Sequence, residues 1–461
     1  MNEFPEGFKW GAATASYQIE GAANADGRGA SIWDTFSKTP GKVKNADNGD
    51  VACDHYNRMP EDVAIMKDLG LDTYRFSIAW PRLFPVGDSR REARGFDFYN
   101  RLIDTLLEND IEPVATAYHW DLPQPLQDKG GWANRDTAYR MADYMGALVE
   151  AYGDRVKKWF TLNEPWVFGY LGYADGVHAP GERDLGKGIK VAHHTALAHG
   201  LATRAARAVR SDIQTGIALN MTNYINTNPA NPELVELREL MDAHLNRFWL
   251  DALTTGHYPA NLLPYFEPHL SEVLLPGDHE ILKTPTNFVG VNYYSDAFLN
   301  EPGPEVEPII NGRVFPFPHR TDGRGPSPYT DFGWPITPEG LGDLVTRIGR
   351  DWPELDIYIS ENGAAYGDGP GADGEVHDDR RVDYLQGHLK ALARGIAEGA
   401  PVKGYFVWSL MDNFEWAEGY AMRFGIVHID FETLKRTPKK SAKFYANIIA
   451  TNGESLKELA I

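Results

Sequence analysis

Eight short apolar runs alternate with helix-patterned stretches along the 461 residues, and this alternation limits the folds open to the chain. "PEDVAIMKDLG" precedes "LDTYRFSIAW", "FDFYNRLIDTLLEND" precedes "IEPVATAYHW", and "TAYRMADYMGALVEAYG" precedes "VKKWFTLNEP". The order continues through "QTGIALNMTNYI" after an Ala-rich helix from about Lys187 to Arg210, then "TNFVGVNYYS", "LDIYISENG" and "VKGYFVWSLMDN", with "FKWGAATASYQ" as the first strand. Apolar residues three and four apart mark the helices, and Gly70 and Gly153 stand where helices stop. Bulky apolar runs suit strands covered on both faces. The pattern predicts an α/β fold, a single (β/α)8 barrel over residues 1–461. A doubly wound open sheet is the competing arrangement, and eight regular units favour closure.

No linker divides the chain. Its long Pro/Gly-rich stretches, 299–335 and 364–376, with shorter ones at 35–57 and 81–95, fall between a strand and the next helix. In a barrel those connections form the catalytic face. The strand ends converge there, and they carry chemistry. Gln18 and Glu20 end the first strand, Arg75 lies in the second, and His119 and Trp120 end the third. Asn163 and Glu164 end the fourth, Asn220 the fifth, Asn292 and Tyr294 the sixth, Glu361 and Asn362 the seventh, and Trp408 the eighth. Pro165 is expected to stop the fourth strand and hold Glu164 in extended backbone. Glu164 alone could be a polar strand exit, and Glu361-Asn362-Gly363 alone an Asn-Gly turn. Two carboxyls on matching strand ends, among amides, His and Trp, suit cleavage of a glycosidic bond. That reaction needs one acid for the leaving oxygen and one carboxylate for the cationic sugar carbon.

Composition narrows the partners. Sixty-five acidic against 45 basic residues give a net charge of −20, which repels nucleic acid and anionic membrane surfaces. The start lacks a basic segment followed by an apolar one, and no run of about 18 apolar residues occurs, so a cytoplasmic protein without a membrane partner is expected. Cys53 is the only cysteine, which rules out intrachain disulfides and thiolate metal clusters.

In its motifs the chain resembles glycoside hydrolase family 1, the β-glucosidase family. "TLNEPW", "GVNYY", "ISENG" and "WSLMDNFEW" occur in order, and the likeness runs from "FKWGAATASYQIEG" to "RFGIVHIDFETLKRTPKKS". The resemblance implies a retaining β-glycosidase for small β-glucosides, with Glu164 as acid/base and Glu361 as nucleophile. It implies that Gln18, His119, Asn163, Trp408, Glu415 and Trp416 hold the glycone, and that Arg75, Asn292 and Tyr294 tune the nucleophile's side. Tyr294 also counts among the substrate contacts, and Trp334 lines the aglycone entrance. Ser360 stands where the family has Thr, and Asn57 where it has His.

Neither cofactor nor metal is expected. "GPGADG" at 369–374 matches a dinucleotide fingerprint but lies beyond the strand tip among acids that would repel a pyrophosphate. His193, His194 and His199 lack the spacing of a metal pair on one helix face and are expected to point toward the barrel. "NADNGD" at 45–50 hints at calcium but is the composition of an ordinary solvated loop. Two alternatives remain at this stage: a 6-phospho-β-glycosidase, disfavoured by the anion expected of Glu415, and an inactive sugar-binding protein, disfavoured by two carboxyls. Glucose, galactose or fucose as glycone, and the oligomeric state, stay open.

Overall fold

The computed structural model describes residues 4–457 except 311 and 313; the extreme termini and those two positions of the long 299–335 stretch lie outside it. Eight parallel strands close into a barrel: β1 (Lys9–Ala13), β2 (Thr73–Ser77), β3 (Glu112–Tyr118), β4 (Lys158–Asn163), β5 (Gln214–Asn220), β6 (Phe288–Asn292), β7 (Asp356–Asn362) and β8 (Val402–Trp408). Each pairs with its sequence neighbours, and β1 pairs with β8 with Ala13 opposite Trp408. The expected barrel is therefore the observed one.

Aromatic side chains fill the interior. Phe160 and Phe288 meet edge to face at 5.1 Å, and the Arg75 guanidinium lies 4.7 Å from the Phe160 ring. A Cβ on Gly290 would fall 2.5 Å from both Phe160 and Ser360, so glycine makes the room here. Trp10, Trp80 and Trp159 are core residues, each at most 1% exposed. The Trp80 ring, in the short helix Trp80–Leu83 that follows β2, stacks at 4.5 Å on Tyr144 of the helix Asp136–Tyr152.

Three boundaries differ from expectation. The first strand stops at Ala13, and Gln18 lies in a helical turn, Ser16–Ile19, that folds over the barrel mouth. The helix before β2 starts at His55 and carries Pro60 inside it. Proline's fixed φ is compatible with a helix and removes one backbone donor; buried His55 pairs with Asp62 at 2.7 Å and anchors this first part. The helix-patterned run "LMDAHLNRFWLDALTTG", 240–256, is expected as one helix; instead its start belongs to a helix Pro232–Asp242, followed by a wide-turned stretch Ala243–Arg247 and a helix Phe248–Thr255. Gly70 does stop its helix with φ +74, whereas Gly153 ends its own with right-handed φ. Among the described residues no helix is long and apolar enough to cross a membrane.

Candidate active site

A cavity of about 690 Å³ opens at the C-terminal ends of the strands. Its wall holds His119, Asn163, Glu164, Asn292, Tyr294, Trp334, Glu361, Trp408, Glu415 and Trp416, ten of the twelve residues given a role by the family resemblance, together with Trp120 and Asn220. Gln18 and Arg75 stand behind the wall, both fully buried. The 364–376 stretch contributes no residue to the lining.

The strands that carry the two carboxyls are irregular just before them. Pairing shifts between Phe160 and Asn163 on β4, and between Ile359 and Glu361 on β7. Such shifts re-aim a side chain at the rim of a barrel. Glu164 is not extended as expected: its φ is +51, in the left-handed region. Its N–H still donates to Ala218 O at 2.8 Å, while its own carbonyl accepts from Val167 N–H at 2.9 Å. Pro165 thus begins a helix rather than merely ending a strand, as a proline at a first helical position can. The turns widen over Val167–Asp175, which brings Val167 and Leu171 to the cavity. Trp120 (φ +80) and Trp416 (φ +48) are left-handed too. Non-glycine residues rarely hold such angles, and three do so around one cavity.

The carboxyls sit in unlike surroundings. Glu361 receives Arg75 Nη1 at 2.9 Å on one oxygen and the Tyr294 hydroxyl at 2.6 Å on the other. Burial raises its pKa, and Arg75 and Tyr294 oppose the rise. Glu164 receives only the Asn292 amide, at 2.7 Å. Burial and then the charge of Glu361 push it up to about 8. A pair whose surroundings separate them in this way has one member suited to be the anion and one to be the acid.

Asn292 thus bonds Glu164 directly and reaches Asn163 Oδ1 at 3.1 Å as well. Its Oδ1 accepts from Ser360 Oγ at 2.6 Å, a task open to the family's threonine as well. Asn57 is exposed on a helix, bonded to Asp54, and outside the site. Asn163 takes Arg75 Nη2 at 2.6 Å on Oδ1, which orients its amide so that Nδ2 donates to His119 Nε2 at 3.1 Å. The imidazole proton then lies on Nδ1, which has no protein partner. Burial and the Arg75 charge hold His119 well below its usual pKa, so the ring is neutral.

Gln18 Nε2 donates to Phe414 O at 2.8 Å and Asn413 Oδ1 at 3.0 Å, with a long contact of 3.5 Å to Glu415; its Oε1 has no partner. Glu415 keeps part of its surface open to the cavity, yet burial and then the charges of Glu361 and Glu164 push it up to about 8. Burial and the two neighbouring carboxyls therefore work against the anion expected of Glu415. Glu164, Glu361 and Glu415 act on one another through this space, with the Arg75 guanidinium behind Glu361. Aromatic rings complete it: Trp416 lies 4.4 Å from Trp120 and near-parallel to His119 at 6.0 Å, and Trp334 lies 5.2 Å from Tyr294 at the mouth.

Sequence reasoning passed over the apolar wall of Val167, Leu171, Val177, Met221, Phe332 and Phe424, and His178 beside it. These residues sit in loops and widened turns with no periodic pattern to betray them. The histidines 193, 194 and 199 are buried in the helix Leu185–Val209 and individually bonded: His199 to Thr161 of β4 at 2.6 Å, His194 to Trp132 O, His193 to Asp278 and Tyr258. Only His199 meets a barrel strand. Among the described residues no three His, Cys, Asp or Glu side chains converge to hold a metal ion.

A closed (β/α)8 barrel whose mouth holds two unequally bonded carboxyls among amides and indoles fits the class of carbohydrate-cleaving enzymes. A sequence profile described as glycosyl hydrolase family 1 matches residues 1–454. Beta-glucosidase A of Thermotoga maritima is 46% identical over 98% of this chain and 99% of its own. Beta-glucosidase A of Acetivibrio thermocellus is 45% identical over the same shares. The crystallised family 1 β-glucosidase of Thermotoga maritima in complex with isofagomine lactam superposes with a TM-score of 0.92 at 45% identity, covering 98% of this chain and 99% of that one. The chain belongs to glycosyl hydrolase family 1.

Proposed function

We propose that this protein is a retaining β-glucosidase in which Glu361 is the nucleophile and Glu164 the acid/base, acting on terminal β-D-glucosyl residues of small glucosides and cello-oligosaccharides. The observation that carries the assignment is the unequal bonding of the carboxyls: Glu361 faces Arg75 and Tyr294, which favour its anion, and Glu164 faces a neutral amide and the Glu361 charge. Glu361 attacks the anomeric carbon while Glu164 protonates the leaving oxygen; Glu164, now a base, then draws a proton from the water that releases the sugar. Once the sugar is bonded to Glu361 its charge is gone, the push on Glu164 falls, and the same carboxyl suits the second task.

His119 Nδ1 and Gln18 Oε1, both without protein partners, are a donor and an acceptor left for glycone hydroxyls. Asn163, Trp408 and Trp416 complete that subsite, Glu415 takes the 6-hydroxyl, and Trp334 faces the aglycone. Among the described residues the cavity wall has no Lys or Arg. This supports plain over 6-phosphorylated sugars, because a phosphate needs cationic donors. The whole chain, 1–461, serves as one catalytic domain. We place it in the cytoplasm, where a buried free thiol such as Cys53 is at home.

Proton NMR of a reacting β-glucoside tests the mechanism: the β-anomer appears first, and first release of the α-anomer would overturn it. A pH series tests the acid. With cellobiose, kcat/KM falls as pH rises through about 8, because Glu164 loses the proton it must donate. A dinitrophenyl glucoside needs no such proton and should be spared that fall.

A further inference from the structure

The acidic loop that hinted at calcium spends its polar groups on the protein itself. Asp47 Oδ2 accepts the Tyr420 backbone N–H at 3.0 Å, and the Tyr420 hydroxyl donates to Asn48 O at 2.7 Å. Lys44 meets Glu418 at 3.2 Å, and Gly49 N–H donates to the Tyr17 hydroxyl at 3.2 Å. Tyr17 in turn lies parallel to Trp416 at 6.3 Å and edge-on to Phe414 at 5.5 Å.

The segment it grips is the tight turn bearing Glu415 and Trp416. Glu415 N–H donates to Gly419 O at 2.7 Å, and Glu418 N–H returns to Glu415 O at 2.9 Å. Trp416 is left-handed inside this turn, an arrangement that persists only when its surroundings hold it. Asp47 sits at the turn's exit, so close that a Cβ on Gly419 would fall 2.4 Å from its carboxylate oxygen.

We infer that the 44–50 loop is a strap over the Glu415–Tyr420 turn, and that Asp47 is a positioning residue for the glycone end of the cavity. The inference rests on the reading that Glu415 takes the sugar's 6-hydroxyl. A strap that works through Glu415 affects substrates that have this hydroxyl and spares those that lack it.

The test compares nitrophenyl β-glucoside with its 6-deoxy analogue. In Asp47→Ala, KM for the glucoside should rise about three- to tenfold, the span expected for one lost hydrogen bond, with kcat little changed. The 6-deoxy analogue should be almost unaffected, and Asp47→Asn, which keeps an acceptor oxygen, should restore the wild-type ratio. Equal losses on both substrates, or no change on either, would overturn the strap. Should Asp47→Ala lose its thermal transition, Tyr420→Phe decides in its place: the same selective loss supports the strap, and an equal loss or none refutes it. A wild-type enzyme indifferent to the 6-hydroxyl would refute the Glu415 assignment and the strap's route of action with it. Discrimination in the wild type without selectivity in the variants refutes the strap alone.

Discussion

Glu361→Gly loses β-glucoside hydrolysis by on the order of ten-thousand-fold or more, and azide brings turnover back as an α-glucosyl azide. The loss follows because neither Glu164 nor Glu415 has the donors to hold it as the anion: Arg75 and Tyr294 are spent on Glu361. The rescue follows from what stays behind. Glycine leaves a space beside the Arg75 guanidinium, and a small anion there attacks the anomeric carbon from the face Glu361 used. One displacement inverts the centre, so the product is α. Proton NMR of the azide product reads the configuration directly, and a β-azide from this variant would place the nucleophile elsewhere.

Glu164→Ala separates substrates by their leaving groups. For cellobiose, whose leaving alcohol needs a proton, kcat/KM should fall about a hundred- to ten-thousand-fold. For a dinitrophenyl glucoside kcat/KM should hold near the wild-type value, since the phenolate departs unaided. Its kcat should still drop, because water then attacks the glycosyl-enzyme without a base. Azide should relieve that second step, and the product here is the β-azide, formed by two inversions. Opposite anomers from the two variants distinguish the roles in one kind of measurement. A uniform loss across leaving groups would remove Glu164 from acid duty.

Much of this was legible in the residues, for a physical reason. Eight helix–strand units leave few closed solutions, and closure alone brings positions 119, 163, 292, 361 and 408 to one opening. Strand ends are therefore a strong signal. The conformation at Glu164 was not legible, because proline excludes right-handed helix for its predecessor without choosing between extended and left-handed backbone. Nor was the charge of Glu415, which depends on two other carboxyls sharing its cavity. The apolar wall escaped because Val167 and Leu171 gain their place from widened turns that hydrophobic spacing does not encode. Gln18 was expected at a strand tip; it reaches Asn413 and Phe414 from a helical turn, and only the tertiary fold reveals that.

The pairing of β1 with β8 has a consequence for the order of events at the ribosome. Gln18 and Glu415 are 397 positions apart, and the turn at Ser16–Ile19 finds Asn413 and Phe414 only when the eighth strand is in place. Residues near position 18 wait for residues near position 414, synthesised much later. A nascent chain can bring together Arg75, His119, Asn163 and Glu164 long before it owns Glu361 or the glycone turn. No truncated translation product holds a finished pocket, so the appearance of sugar cleavage during synthesis would time the moment the ring of strands closes.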